Sequence, residues 1–249
     1  MPSLPSRRLP LLWVWLPLAL TPLTLPAVGP AMAKEAATVQ EILDGREFYI
    51  DSREAKVKQR ATAPQEISTR KSRGQIRFDT GAAGRVNRFS QLRLGSGCFL
   101  LRKGQILVSG PQSGCTRSSR MSVRGTNYLL EVREDGQAEL SVLEGAVEVE
   151  PLQDGEPIPP GEQGAAKITR VEAGQRVTLS PAGVVLTLLR LSSGDYSAIL
   201  GGPLFEGFSA PLPGIGSLES YIRRYVPGVN LPGAPVTPSI PGFSFPRFF

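Results

Sequence analysis

Histidine is absent from this 249-residue chain, and the absence removes whole classes of chemistry. A Ser-His-Asp or Cys-His relay cannot be assembled without an imidazole. The usual catalytic zinc sites draw on the same ligand, so no metal site is expected. Glycine-rich phosphate loops are missing too, and no cofactor is expected. Cysteine is scarce, with only Cys98 and Cys115. After the first 25 residues or so, no apolar run approaches the about 20 residues that a spanning helix needs. Charge of one sign does not dominate: 28 basic residues face 22 acidic ones, a formal +6. Such a mild excess fits weak attraction to anionic envelope polymers, or simply a solvated surface. Nucleic acid is not an expected partner. No helical period is sustained from Ile67 to Arg190.

The N-terminus carries the three parts of a secretory leader. Arg7 and Arg8 form a basic start, Leu9 to Leu25 an apolar run, and Ala31-Met32-Ala33 a small-residue cleavage site. Pro17, Pro22 and Pro26 interrupt the run, which argues against a membrane anchor. No Cys follows the cleavage site, which argues against lipidation. Residues 1–33 are therefore expected to be removed, leaving a periplasmic or extracellular chain with no integral span. An even cysteine count in an exported chain favours a disulfide. Between Cys98 and Cys115 the sequence reads as strand, turn at Arg102-Lys103-Gly104, strand and return loop, a hairpin able to bring its ends together. The alternative is two buried free thiols.

What is present is mostly β. Residues 34–66 are mixed and polar, with Phe48-Tyr49-Ile50 as the strong β run and Ala55 to Lys58 as a further candidate. From Ile67 short alternating runs follow one another between turns, as in Gln75-Ile76-Arg77-Phe78 and Ala146-Val147-Glu148-Val149-Glu150. Alternate residues of an extended chain face opposite ways, so these read as half-buried antiparallel strands. Turns every eight to twelve residues or so imply an all-β sandwich, roll or solenoid over residues 67–190. Gln153 to Gly164 is a Pro/Gly-rich loop. Over residues 191–226, Ser192 caps a short helix before Tyr196, and a second helix runs from Leu218 to Tyr225. Residues 227–249 are Pro/Gly-rich, lack hydrophobic periodicity and read as extended or disordered.

The stretch from Ile67 to Val149 resembles the FecR domain, in particular the exported single-domain versions found in cyanobacteria. Ile67-Ser68-Thr69 with Gln75 to Phe78 is similar to the family's opening, and Gly104 to Pro111 to its central hairpin. Val123-Arg124-Gly125-Thr126-Asn127-Tyr128 resembles its Gly-Thr strand, Val142 to Val149 its closing hairpin through Gly145, and Ala173-Gly174-Gln175 its Gly-Gln turn. These residues also have a plain reading as fold grammar: glycine turns at positive φ without steric cost. The resemblance implies the periplasmic part of a regulator that relays a signal from an outer-membrane transporter. The family's cytoplasmic anti-sigma segment and transmembrane helix have no counterpart in the pattern read here, so direct anti-sigma action is not expected.

Two features bear on chemistry. Glu134 and Asp135 sit together but beside Gly136 in a turn, whereas acid–base work needs a recessed pair. Arg70, Lys71 and Arg73, followed by Arg77, Arg85 and Arg88, form the densest basic cluster. On alternating strands several of these could share a solvent face and take an acidic polysaccharide or acidic partner. The expectation is a non-enzymatic envelope interaction domain whose partner is an unknown envelope protein or acidic polysaccharide. The alternative is an envelope enzyme acting on cell-wall glycan through carboxylates.

Overall fold

The computed structural model describes residues 35–153, 156–157, 168–229 and 231. The expected leader, most of the Pro/Gly loop and most of the tail lie outside them. In chain order the strands are β1 (Ala36–Leu43), β2 (Phe48–Ile50), β3 (Arg53–Glu54), β4 (Arg60–Thr62), β5 (Glu66–Thr69), β6 (Arg73–Phe78), β7 (Ala83–Val86), β8 (Gln91–Arg93) and β9 (Phe99–Gly110). They continue with β10 (Gly114–Cys115), β11 (Ser119–Val123), β12 (Thr126–Val132), β13 (Ala138–Glu144), β14 (Ala146–Gln153), β15 (Glu156–Pro157), β16 (Thr169–Glu172), β17 (Gln175–Leu179) and β18 (Val185–Arg190). Helices α1 (Ser193–Leu200) and α2 (Ile215–Tyr225) close the described chain. The all-β expectation with short C-terminal helices holds.

The strand pairings resolve into two sheets. The first runs β4-β1-β6-β7-β9-β12-β13-β17-β18, antiparallel throughout. The second runs β3-β2-β5-β8-β9-β10-β11-β14-β16, with β9–β10 parallel. One core lies between them. Ile76, Phe78, Ile106, Tyr128, Leu130 and Leu140 from the first sheet meet Phe48, Ile67, Leu92, Met121, Val147 and Val149 from the second. Each such side chain taken fully from water contributes about 1.5–3 kcal/mol.

Strand β9 belongs to both sheets. Its residues Leu100, Leu101 and Lys103 pair with β8, while Gly104 to Gly110 pair with β12. At the changeover Gly104 has φ of +85°. A Cβ there would lie 2.5 Å from the Ser90 Cα. The expected hairpin at Arg102-Lys103-Gly104 is thus a bend in one continuous strand. Lys103 and Gly104 find partners on either side of it, Gln91 and Val132, so the chain never reverses. The other resemblance glycines also mark transfers between sheets. Gly125 (φ +61°) carries the chain from β11 to β12, and Gly145 (φ +85°) carries it back from β13 to β14. The two corners touch: the Thr126 hydroxyl donates to the Ala146 carbonyl at 3.0 Å.

Residues 35–66 are built into both sheets, since β1 pairs with β6 and β2 with β5. The strand candidate at Ala55 to Lys58 is instead a turn, with Lys58 at φ +71°. In its place stand β3 and β4, and β1 precedes them. A register shift between Val39 and Glu41 breaks β1's alternation, which hides the strand from a period-two reading.

The outer face of the first sheet is covered by the chain's own C-terminal segment. Ala83, Leu107, Leu129 and Leu143 pack with Tyr196, Leu200, Leu204, Phe205, Leu218 and Ile222. Helix α1 starts where the Ser192 hydroxyl accepts from the Asp195 amide and Asp195 accepts from the Ser192 amide, a reciprocal cap. Buried Leu218 and Ile222 lie four residues apart on one face of α2.

Candidate interaction site

The expected basic surface divides in two. Arg73 and Arg85 are only 6% exposed. They lie on the outer face of the first sheet, beneath the C-terminal segment. Arg85 donates to Gln75 Oε1 at 2.8 Å and to the Leu204 and Ala210 carbonyls at 3.0 Å. Its guanidinium stacks 4.4 Å from the Phe208 ring. Burial pulls the Arg85 pKa down to about 10, opposed by the nearby Glu41 charge; it stays a cation at neutral pH. Arg73 bonds Asp44 at 2.5 Å, the Glu206 carbonyl at 2.9 Å and the Pro203 carbonyl. Glu41 completes the clamp by accepting from the Ser209 and Ala210 amides. These side chains hold a strap of the chain's own backbone, residues 203–214, and are closed to an external ligand.

The rest of the cluster is exposed but dispersed. Arg88 pairs with Asp44 at 2.7 Å, and Arg70 lies over the Tyr49 ring. Lys71 and Arg77 are exposed and make no ion pair among the described residues. Cys98 and Cys115 are joined by a disulfide, with Sγ–Sγ of 1.99 Å. The bond ties the approach to β9 to the short parallel strand β10. Glu35 is half-buried, its amide donating to the Gly95 carbonyl. Its carboxylate accepts from Gln112 at 2.7 Å, and burial pushes its pKa up.

A polar cleft of about 510 Å³ opens across β11, β14 and β16, with Ser122, Arg124, Glu148, Arg170 and Glu172 on its walls. Its two carboxylates both face Arg170, Glu172 at 2.5 Å and Glu148 at 4.0 Å. Both are about half exposed.

The sheet edges set one element apart. Among the described strands each sheet has two edges. Edge strands expose unpaired N–H and C=O groups that template pairing with another chain, and proteins blunt them with shortness and charge. Strand β3 is two residues long, Arg53–Glu54. Strand β4 has three residues and starts at Arg60. Strand β16 carries Arg170 and Glu172 among its four. Strand β18 is different: six residues, Val-Leu-Thr-Leu-Leu-Arg, all exposed and paired on one side only, with β17. Leu188 pairs with buried Val177 and so lies on the core side of the sheet, yet it is 45% exposed. Leu189 pairs with Arg176 on the outer side and is 60% exposed. Leu186 is 52% exposed. An apolar ladder edge of this kind can add one more strand, backbone to backbone, with side-chain contacts on both faces.

In the sequence this segment reads as the second member of a strand pair with Gln175 to Leu179. The available signal was the run Val184 to Leu189, interrupted by Thr187 alone. An unbroken apolar run normally means burial on both faces, so the pattern pointed inward.

No family model matches the chain, and no curated protein matches it. Two crystal structures of a proposed anti-sigma factor from Parabacteroides distasonis ATCC 8503, at 1.65 and 2.50 Å resolution, are similar to it. Both show 18% identity and a TM-score of 0.42. The first likeness covers 55% of this chain and 65% of that one, the second 65% and 74%. The disulfide, and the lack of any helix long and apolar enough to cross a membrane among the described residues, are compatible with a place outside the cytoplasm.

Proposed function

We propose that the mature chain is a non-enzymatic, extracytoplasmic module of FecR-domain type that binds another protein by taking an extended segment of it onto β18. The observation that carries this reading is the contrast among edges. Three are short and charged, whereas β18 offers six residues with exposed apolar side chains on both faces. Backbone ladder groups recognise another strand and not a sugar, so the edge favours a protein over an acidic polysaccharide. The loss of Arg73 and Arg85 to internal bonds weakens the polysaccharide reading further. Export is supported by the leader pattern and by the paired cysteines. The resemblance implies envelope signalling as the setting.

The test compares purified mature chain with its Leu186→Lys/Leu188→Lys variant, each immobilised and offered envelope protein and acidic envelope polysaccharide separately. The expected result is saturable retention of a polypeptide, weakened about tenfold or more in the variant while its melting curve is kept. Retention of polysaccharide that Arg70→Glu/Arg77→Glu abolishes and the β18 variant leaves intact would sink the proposal.

A further inference from the structure

A second surface adjoins the C-terminal end of β18, at Arg190. Helix α2 places Tyr221 and Tyr225 one turn apart, and α1 brings Tyr196 beside them. Ring centroids are 6.5 Å apart for Tyr196–Tyr221 and 5.0 Å for Tyr221–Tyr225, both tilted. Tyr196 is buried, its hydroxyl donating to the Leu143 carbonyl at 2.9 Å. Tyr225 is 61% exposed. These rings, with Gly174, Arg190 and Pro227, line a cleft of about 330 Å³. Gly174 holds φ of +78°, and a Cβ there would come within 3.1 Å of the Tyr221 hydroxyl. The turn between β16 and β17 therefore depends on glycine to leave the cleft open. Tyr221 and Tyr225 present tilted rings over the buried Tyr196, and accessible aromatic rings are the lining that Pro-rich segments in the polyproline II conformation dock against.

Such a segment follows in the sequence. Proline stands at 232, 235, 238 and 241, every third position. Polyproline II has three residues per turn, so in that conformation the four rings fall on one ridge. From Pro232 to Pro246 the segment has no charged residue, and it meets no repulsion from Arg190 or Arg224 at the cleft. The starting point is also right. Pro227 lines the cleft, while Val229 and Leu231 are buried in the cluster that holds Tyr196. Pro232 lies five positions after Pro227, a reach of at most about 18 Å. A tether that short gives an effective concentration in the millimolar range, enough for a weak groove to be filled from its own chain. We infer that the Tyr196–Tyr221–Tyr225 cleft is the docking groove for residues 232–249 of the same chain, held through the 232/235/238/241 proline ridge.

The experiment uses the full mature chain with a benzophenone amino acid in place of Tyr225, which is exposed enough to tolerate it. Irradiation and peptide mapping should find adducts within residues 232–249. They should form inside single chains at a yield independent of protein concentration. Pro235→Ala/Pro238→Ala/Pro241→Ala should lower that yield about tenfold while the melting curve is kept. Adducts that miss the tail, a yield unchanged by the proline variant, or adducts that join two chains and grow with concentration would each overturn the assignment.

Discussion

Arg85 carries a guanidinium into a face that the strand pattern assigns to solvent. Alternation does put Arg85 on the opposite side from Val86, and Arg77 opposite Ile76 and Phe78. What alternation cannot show is that a later segment returns to cover that side. Hence Arg73 and Arg85 looked like ligands for a partner and are ligands for the strap carbonyls of Pro203, Leu204, Glu206 and Ala210. Arg85→Met removes three donated bonds and leaves two strap carbonyls without that donor. Buried polar groups stranded in this way cost about 1–3 kcal/mol each. The variant should therefore lose about 3 kcal/mol in urea titration and gain a protease-sensitive site near Leu204–Ala210. Loss below about 0.5 kcal/mol would show that the strap stands without this clamp. Gly125, Thr126 and Gly145 were legible for the opposite reason: positive φ and β-branching are local properties, and local properties are written in single residues.

At the scale of elements, the strap and strand β9 each depend on a tie that can be cut. Two carboxylates hold the strap, Glu41 directly and Asp44 through Arg73, and a third, Asp195, caps α1 beside it in sequence. The Arg73 hydrogen bond keeps Asp44 below its ordinary 3.8. Burial alone would raise Glu41 above 4.5, but bonds from Ala210 and Ser209 outweigh it and leave it lowered. The Ser192 side chain and amide lower Asp195. A carboxylate depressed in the folded state stabilises fully above its unfolded value and loses that stabilisation as pH falls through the folded value. The strap should thus loosen below about pH 4 while the sandwich persists. Pepsin at pH 3 should cut first around Leu204 to Phe208, and simultaneous cutting across β6 and β12 would contradict this. The second tie is Cys98–Cys115, separated by 17 residues. Closing a loop of that size is worth about 3 kcal/mol in the unfolded-chain entropy account. Cys98→Ala/Cys115→Ala should lower the urea midpoint, with a somewhat steeper slope because the opened chain exposes more surface on unfolding, and an unmoved midpoint would deny the bond its role. The pairing was readable from the cysteine count. The path between the two was not, because a glycine that bends a strand and one that ends it look alike in sequence. Strand β1 escaped notice because its register shift at Val39/Glu41 destroys the period that would reveal it.

For the whole molecule, the two sheets share β9, enclose one core, and are roofed on one side by the strap and both helices. Among the described strands the other sheet edges are short and charged, and β18 is the exception. The proposed binding role rests on that exception, and site-resolved photo-crosslinking in the intact envelope tests it most directly. Photo-reactive residues at Leu186, Leu188 and Leu189 should capture a polypeptide. The same group at Arg70, Arg77 and Arg88 should capture none. Capture from the arginine positions with silence along β18 would contradict the account.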